Sequence, residues 1–524
     1  MALTALDWGL IGAYVAVVIL IGVRVTTKVT SAQELFLAGR SLGFATVGFS
    51  LFASNISSTT IIGVAGAAYQ NGISVAHYEL MAALVLIFMA FVTIPVFLRA
   101  QITTVPEYLQ RRFGPFVCKY VSALTIVLSI FVDTAGSIYA GVLVLQTLIP
   151  GLPFVPACIA LAAFAGLYTA FGGLRAVVYT DVLQAIILLA GTGVITYVLF
   201  EQFDFSWSAA MAAVPSDKLS LIRPLDDPAL PWLGVLVGLP ILGFYYWAAN
   251  QYIMQRVLGA KNLEHARWGA MLAAALKLLP LFLFAIPGAL AFALLPGLPD
   301  GDQVFPTMIV TYLPAGLVGL VLAGLIAAIM STIDSTLNSA SALVVYDFVN
   351  ASEHKLSPRR TLWLGRLTTL VFVVIAAFWP LVIRHFPGLF NYIQQVFSLA
   401  VPPVAAVFLL AMFWWRATTA GAITALVLGH TIGCAIFVWK IWCSMHGVAD
   451  GLPHFTIVAG ATALLCLLVA VGVSLAQPRG QTVSVPSLLW TPRDTRPDCG
   501  DRWDYRWAAA AIGAAVIMLI WMFR

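Results

Sequence analysis

The chain has 524 residues, 61% hydrophobic and only 9% charged, with a formal net charge of +5. Soluble domains carry about 25% charged residues. A water-soluble fold is therefore excluded, and with it the disordered, collagen-like and disulfide-framework classes, secreted enzymes and nucleic-acid binders.

A spanning helix needs about 20 apolar residues. Such runs recur near residues 7–24, 43–69, 75–98, 120–148, 154–172, 180–200, 233–253, 268–295, 306–346, 362–383, 388–413, 418–440, 454–475 and 507–523, which predicts about 14 transmembrane helices. Continuous runs, rather than alternating strands of about ten residues, argue against a barrel. No Lys or Arg precedes the first run, and Arg24 and Lys28 follow it, which predicts an uncleaved helix with its N-terminus outside. On that topology 21 basic residues fall inside and 5 outside, with Lys277 within a span; this is the asymmetry of the positive-inside rule. The 306–346 run exceeds the bilayer thickness. The six cysteines show no CxxC spacing, which predicts neither a disulfide nor a metal centre.

Two spans are interrupted. The second reads apolar, then Ser54-Asn55-Ile56-Ser57-Ser58-Thr59-Thr60, then apolar again. The seventh carries Gly234, Gly238, Pro240 and Gly243 before Tyr245-Tyr246-Trp247. Paired interruptions five spans apart point to an inverted-repeat transporter. The ionisable residues inside spans are Glu79, Asp133, Asp181, Lys277 and Asp334. Each costs about 2.5–3.5 kcal/mol on insertion scales, which makes it a functional candidate.

On the ninth span Ser331, Thr332, Ser335, Asn338 and Ser339 share one helical face, with Asp334 at its border. Hydroxyls here and freed carbonyls at a broken helix supply the oxygen ligands that a hard monovalent cation prefers. Aromatic residues at 244–247, with Phe390, Tyr392, Gln394 and Gln395, suit a neutral polar ligand stacked on a ring. Gly39-Arg40-Ser41-Leu42-Gly43 matches a nucleophile-elbow pattern without the strand–turn–helix setting it requires. No HExxH or P-loop is present, so the chain is not expected to be an enzyme.

The segments Phe36-Leu37-Ala38-Gly39-Arg40-Ser41, Ser50 to Ile56, Gly172 to Asp181, Tyr245-Tyr246-Trp247 to Arg256, and Met330-Ser331-Thr332 to Leu337-Asn338-Ser339 carry a resemblance. The chain resembles the sodium:solute symporter family, in its sodium/glucose cotransporter branch. The resemblance implies an all-α polytopic membrane protein with a LeuT-type core of two inverted five-helix repeats. On that plan 1–42 is a flanking helix and linker, 43–200 the first repeat, 201–232 an extracellular loop and 233–413 the second repeat. Residues 414–476 are two flanking helices, 477–506 a cytoplasmic loop and 507–524 the last span.

The implied sodium ligands are the carbonyls of Ala53, Ile56 and Ala328 and the hydroxyls of Ser331 and Thr332, with Asp181 close by. The implied solute contacts are Asn55, Thr60, Glu79, Gly243, Tyr246, Trp247, Lys277 and Gln394. Val64, Tyr78, Tyr246 and Phe390 are the implied gates. Thr60, Gly243 and Ala82 are smaller or less polar than the residues of sugar-carrying relatives. Asp334 departs from the Ala or Thr usual in relatives, and a second cation site with Ser335 and Asp181 is hypothesised there.

The expected function is sodium-coupled uptake of a small neutral solute, a hexose or related polyol being favoured. The alternatives are sodium or proton symport of a monocarboxylate, amino acid or other small organic solute, or a passive uniporter or channel. The expected partners are the solute, sodium and the lipid bilayer, with no nucleic acid. The expected location is a plasma membrane of the bacterial inner-membrane kind.

Overall fold

The computed structural model describes residues 4–26, 31–149, 151–314, 316–349, 356–386, 389–478, 486–496 and 504–524. Lys28, Lys355, Arg479 and Arg502, counted above for topology, and Cys499 lie outside the described residues. Among the described residues every regular element is a helix, apart from one isolated parallel bridge between Leu42 and Ala260. Among the described residues ten helices are long and apolar enough to cross a membrane, up to twelve if each of two bent pairs is one span, and two shorter apolar helices, Ala5–Ile21 and Phe154–Leu167, fall on the first and fifth expected spans.

The elements that build the site are α1 (Ala5–Thr26), α2 (Phe44–Asn55), α3 (Ser58–Asn71), α4 (His77–Phe91), α5 (Pro115–Leu128) and α6 (Ala135–Leu148). They continue as α7 (Phe154–Glu201), α8 (Leu239–Phe244), α9 (Gln251–Leu258), α10 (Leu263–Leu276), α11 (Val304–Tyr312), α12 (Leu317–Leu343) and α13 (Pro358–Phe378). The last are α14 (Leu389–Ala400) and α15 (Pro402–Phe413), followed by the flanking helices α16 (Thr419–His446), α17 (Phe455–Ala476) and α18 (Tyr505–Met522).

The fifth and sixth expected spans share one element, α7, yet the chain reverses within it. Thr169 donates to Asp334 of α12, and Asp181 accepts from Ser331 of the same helix. On a straight helix Thr169 and Asp181 would stand about 18 Å apart, whereas three positions on α12 cover about 4.5 Å. The direction of packing agrees. Gly141 lies against Leu161 and Ile329 ahead of the Thr169–Asp334 pair, while Gly324 meets Leu188 and Gly191 meets Val321. The first arm of α7 therefore runs with α12 and the second runs against it.

Three boundaries differ from expectation. The over-long 306–346 run divides into α11 and α12 around Leu313, Pro314 and Gly316, whose φ of +90° suits glycine alone. Asp7 of α1 then caps α12, its Oδ1 accepting from the Gly316 and Gly319 amides at 2.8 and 2.7 Å. The seventh span breaks at Asn250, which has extended backbone, and not in the Gly/Pro run before the aromatic residues. The eleventh bends by 47° between α14 and α15, where Pro402 and Pro403 remove two amide donors.

Candidate ion and solute site

The break between α2 and α3 is the first component. Ile56 leaves helical backbone at φ −76° and ψ 79°, and Ser57 restarts the helix by accepting the Thr60 amide at 3.2 Å. The Ser57 amide turns to the Asn55 carbonyl at 2.8 Å. In an unbroken helix the Ser57 and Thr60 amides would serve the carbonyls of Ala53 and Ile56. Both carbonyls thus lose their usual donors in mid-membrane, where no water replaces them. The two helices differ in direction by 56°.

Opposite the break stands α12, whose Ser331, Thr332, Ser335, Asn338 and Ser339 are all buried. Thr332 lines the same cavity as Ser54, Asn55 and Ser57. Its hydroxyl donates to the Ala328 carbonyl at 3.1 Å, and the Ser331 hydroxyl donates to Asp181 at 2.6 Å. Asp181 also accepts from Ser50 and, at 3.3 Å, from Ser54, so one carboxylate ties α2 to α12.

Its cationic partner is Arg256 of α9, fully buried and 3.2 Å away. Arg256 donates to Ser50 at 2.8 Å and also to Ser335 and the Tyr252 carbonyl. The sequence reading gave Arg256 no role beyond the membrane edge. The available signal was Asp181 itself, since a buried carboxylate requires a cation or several donors.

The residues of the hypothesised second cation site point apart. Ser335 faces the Arg256 guanidinium, while Asp334 faces Thr169 on the first arm of α7.

The solute cavity, about 130 Å³, lies beside the break. Asn55, Thr60, Glu79, Gly243, Tyr246, Trp247 and Gln394 line it, as do Tyr78 and Phe390 among the gates and Ala82 among the departures. Lys277 and Val64 do not line it. Lys277 is buried behind the wall, ion-paired with Glu79 and 5.4 Å from the Trp247 ring centroid. Val64 is buried on α3.

Tyr78 and Phe390 meet edge to face at 5.2 Å between ring centroids and close one side of the cavity. Tyr246 is bonded through its hydroxyl to Tyr252 and stands edge-on to Trp247 at 5.3 Å. Tyr246 and Trp247 sit on a π-helical segment, Tyr245–Ala249, which ends at the Asn250 break. A second π segment, Ser129–Thr134, presents Asp133 to the same cavity. At the loop end of α14, the Leu389 amide donates to Asp302 at 3.1 Å, and burial pushes that carboxyl up to about 6.

Two interrupted helices beside a cavity that a hydroxyl-bearing residue of α12, Thr332, also lines fit the architecture of a secondary transporter. The model of the sodium:solute symporter family matches residues 35–429. The chain belongs to the sodium:solute symporter family, whose members are sodium-coupled transporters and not enzymes. It is 34% identical to sodium/glucose cotransporter 1 of Oryctolagus cuniculus, over 93% of this chain and 79% of the relative. It is also 34% identical to the sodium/mannose cotransporter SLC5A10 of Bos taurus, over 93% of this chain and 89% of the relative. A solved substrate-bound, outward-open Na+-coupled sialic acid symporter shares the fold, with a TM-score of 0.78 at 21% identity. It covers 92% of this chain and 100% of that one.

Proposed function

We propose that the protein imports a neutral hexose or related polyol, driven by sodium entry, through alternating access around the cavity beside the α2–α3 break. The observation that carries this reading is the break that takes the usual donors from the Ala53 and Ile56 carbonyls beside a cavity that Thr332 of α12 also lines. Sodium held between them fixes the broken helix against α12 while the cavity is open outward. The solute then enters against Tyr246 and Trp247 and reaches Gln394, Asn55 and the Glu79 carboxylate. Closure of Tyr78 on Phe390, followed by movement of the Tyr246–Tyr252 pair, passes it inward. The basic-residue asymmetry supports an N-terminus outside the cell.

The driving force suffices. One charge crossing 100 mV releases about 2.3 kcal/mol, and a tenfold sodium gradient adds about 1.4 kcal/mol. Together, about 3.7 kcal/mol sustains roughly 500-fold accumulation at 1.4 kcal/mol per decade.

Arg256 supports a single sodium per cycle. Its guanidinium already fills the space among Asp181, Ser50 and Ser335, and Asp334 is turned elsewhere. The deciding experiment is uptake of labelled glucose, mannose and myo-inositol into sealed proteoliposomes with and without an inward sodium gradient. Accumulation above equilibrium only with sodium is expected. Equal uptake in its absence would identify a passive uniporter.

A further inference from the structure

Asp133 is the ionisable residue on the cavity wall that the reading above leaves without a task. Its side chain is 9% exposed, lines the cavity, and has one carboxylate oxygen buried without a hydrogen-bond donor among the described residues. The other carboxylates nearby are matched. Glu79 is paired with Lys277, and Asp181 with Arg256. The two pairs are neutral, which leaves Asp133 as a carboxyl on the cavity wall with no cationic partner among the described residues, a partner that an incoming ammonium group would supply.

The backbone explains how Asp133 comes to face inward. It lies in the π-helical segment Ser129–Thr134, where the wider turn re-aims a side chain, a device common at functional sites. Thr134 fixes that turn, donating to the Ser129 carbonyl at 2.7 Å and pairing with Thr336 of α12 at 2.7 Å. Tyr246 and Trp247 line the same cavity. A carboxylate held in low dielectric without a donor is costly, and a cargo that brings the missing donor recovers that energy. A cation meeting aromatic faces on its other side gains further.

We propose that Asp133 is a solute-binding residue that takes an ammonium substituent, so that the favoured cargo is an amino-substituted polyol and anionic analogues are rejected. This rests on the polyol reading of the cavity and deepens it.

The test uses the purified protein in saturating sodium at neutral pH, where the amines offered still carry ammonium groups. Ligand-induced thermal stabilisation, read as half-saturating concentration, compares two matched sets: glucose, glucosamine and glucuronate, and cyclohexanol, cyclohexylamine and cyclohexanecarboxylate. Wild-type protein is expected to bind glucosamine at least tenfold more tightly than glucose, and glucuronate most weakly. Asp133→Asn is expected to remove the preference without raising the sodium requirement measured in the absence of solute. Glucose bound as tightly as glucosamine by wild-type protein would overturn the Asp133 proposal and leave the polyol reading standing, whether or not the Asn variant folds. Binding of cyclohexylamine with no sugar bound would keep Asp133 and defeat the polyol reading. Binding of nothing from either set would defeat both. A raised sodium requirement in Asp133→Asn without solute would make Asp133 an ion ligand and overturn the proposal.

Discussion

Asp181 of α7 and Arg256 of α9 form a fully buried ion pair at 3.2 Å, and the carboxylate's other oxygen accepts the Ser331 hydroxyl at 2.6 Å. One carboxylate therefore joins α2, α12 and α9. Removing one partner of a buried pair strands the other charge, at a cost of about 3–5 kcal/mol. Arg256→Met is expected to lower the unfolding temperature in detergent, and Arg256→Met with Asp181→Asn to recover most of the loss. Equal unfolding temperatures for the single variant and wild type would show that the pair carries no such weight.

Ser331→Ala and Thr332→Ala are each expected to raise half-saturating sodium about tenfold, the loss of one oxygen ligand being worth about 1.4 kcal/mol. Solute affinity at saturating sodium should change far less. Titration of uptake against sodium at several solute concentrations separates the two effects. A proportional loss at every sodium concentration would contradict the ligand assignment.

Asp334 bears on stoichiometry. Charge and solute fluxes recorded together with glucose, a neutral solute, should give one charge per solute, and Asp334→Ala should leave that ratio and the sodium Hill coefficient unchanged. A ratio of two that falls to one in the variant would restore the second cation site.

Gly243 sets the cavity width on the side of α8. A Cβ there would stand 3.1 Å from Val85 Cγ2, so Val85 must yield by a few tenths of an ångström. Gly243→Ser places a hydroxyl in the cavity, and its hydrogen bond contributes about 0.5–1.5 kcal/mol net. Tighter solute binding at unchanged sodium dependence is expected from equilibrium titration, whereas Gly243→Val should block binding.

The Asp302 carboxyl lies in a loop and titrates near 6 when folded, above an unfolded value near 3.8. The folded state therefore binds the proton more tightly, and stability falls as pH rises from about 4 through 6. At about 1.4 kcal/mol per pKa unit the change amounts to about 3 kcal/mol. Unfolding temperature should drop between pH 4.5 and 7 in wild-type protein and drop less in Asp302→Asn.

The spans were legible because lipid imposes continuous apolar length on every helix, and the α2–α3 break because Ser, Asn and Thr interrupt that continuity. The Asn250 break was misplaced. Gly238 and Pro240 look like breakers, yet a membrane helix absorbs them, whereas Asn250 ends a π turn that no short pattern marks. Of the residues expected at the solute and its gates, all but Lys277 and Val64 line the cavity. Lys277 was legible as a costly charge, but periodicity does not tell a wall residue from one paired behind the wall. Asp133 was visible only as an expense, because its aim depends on one widened turn.

The hairpin inside α7 carries a practical consequence. Its arms join between Thr169 and Asp181 in backbone that stays helical throughout, so this corner has no extended segment of the kind a protease binds. Each arm also contributes a side chain bonded to α12, and a label at the corner would report on the shared motion of three spans instead of a loop's own fluctuations.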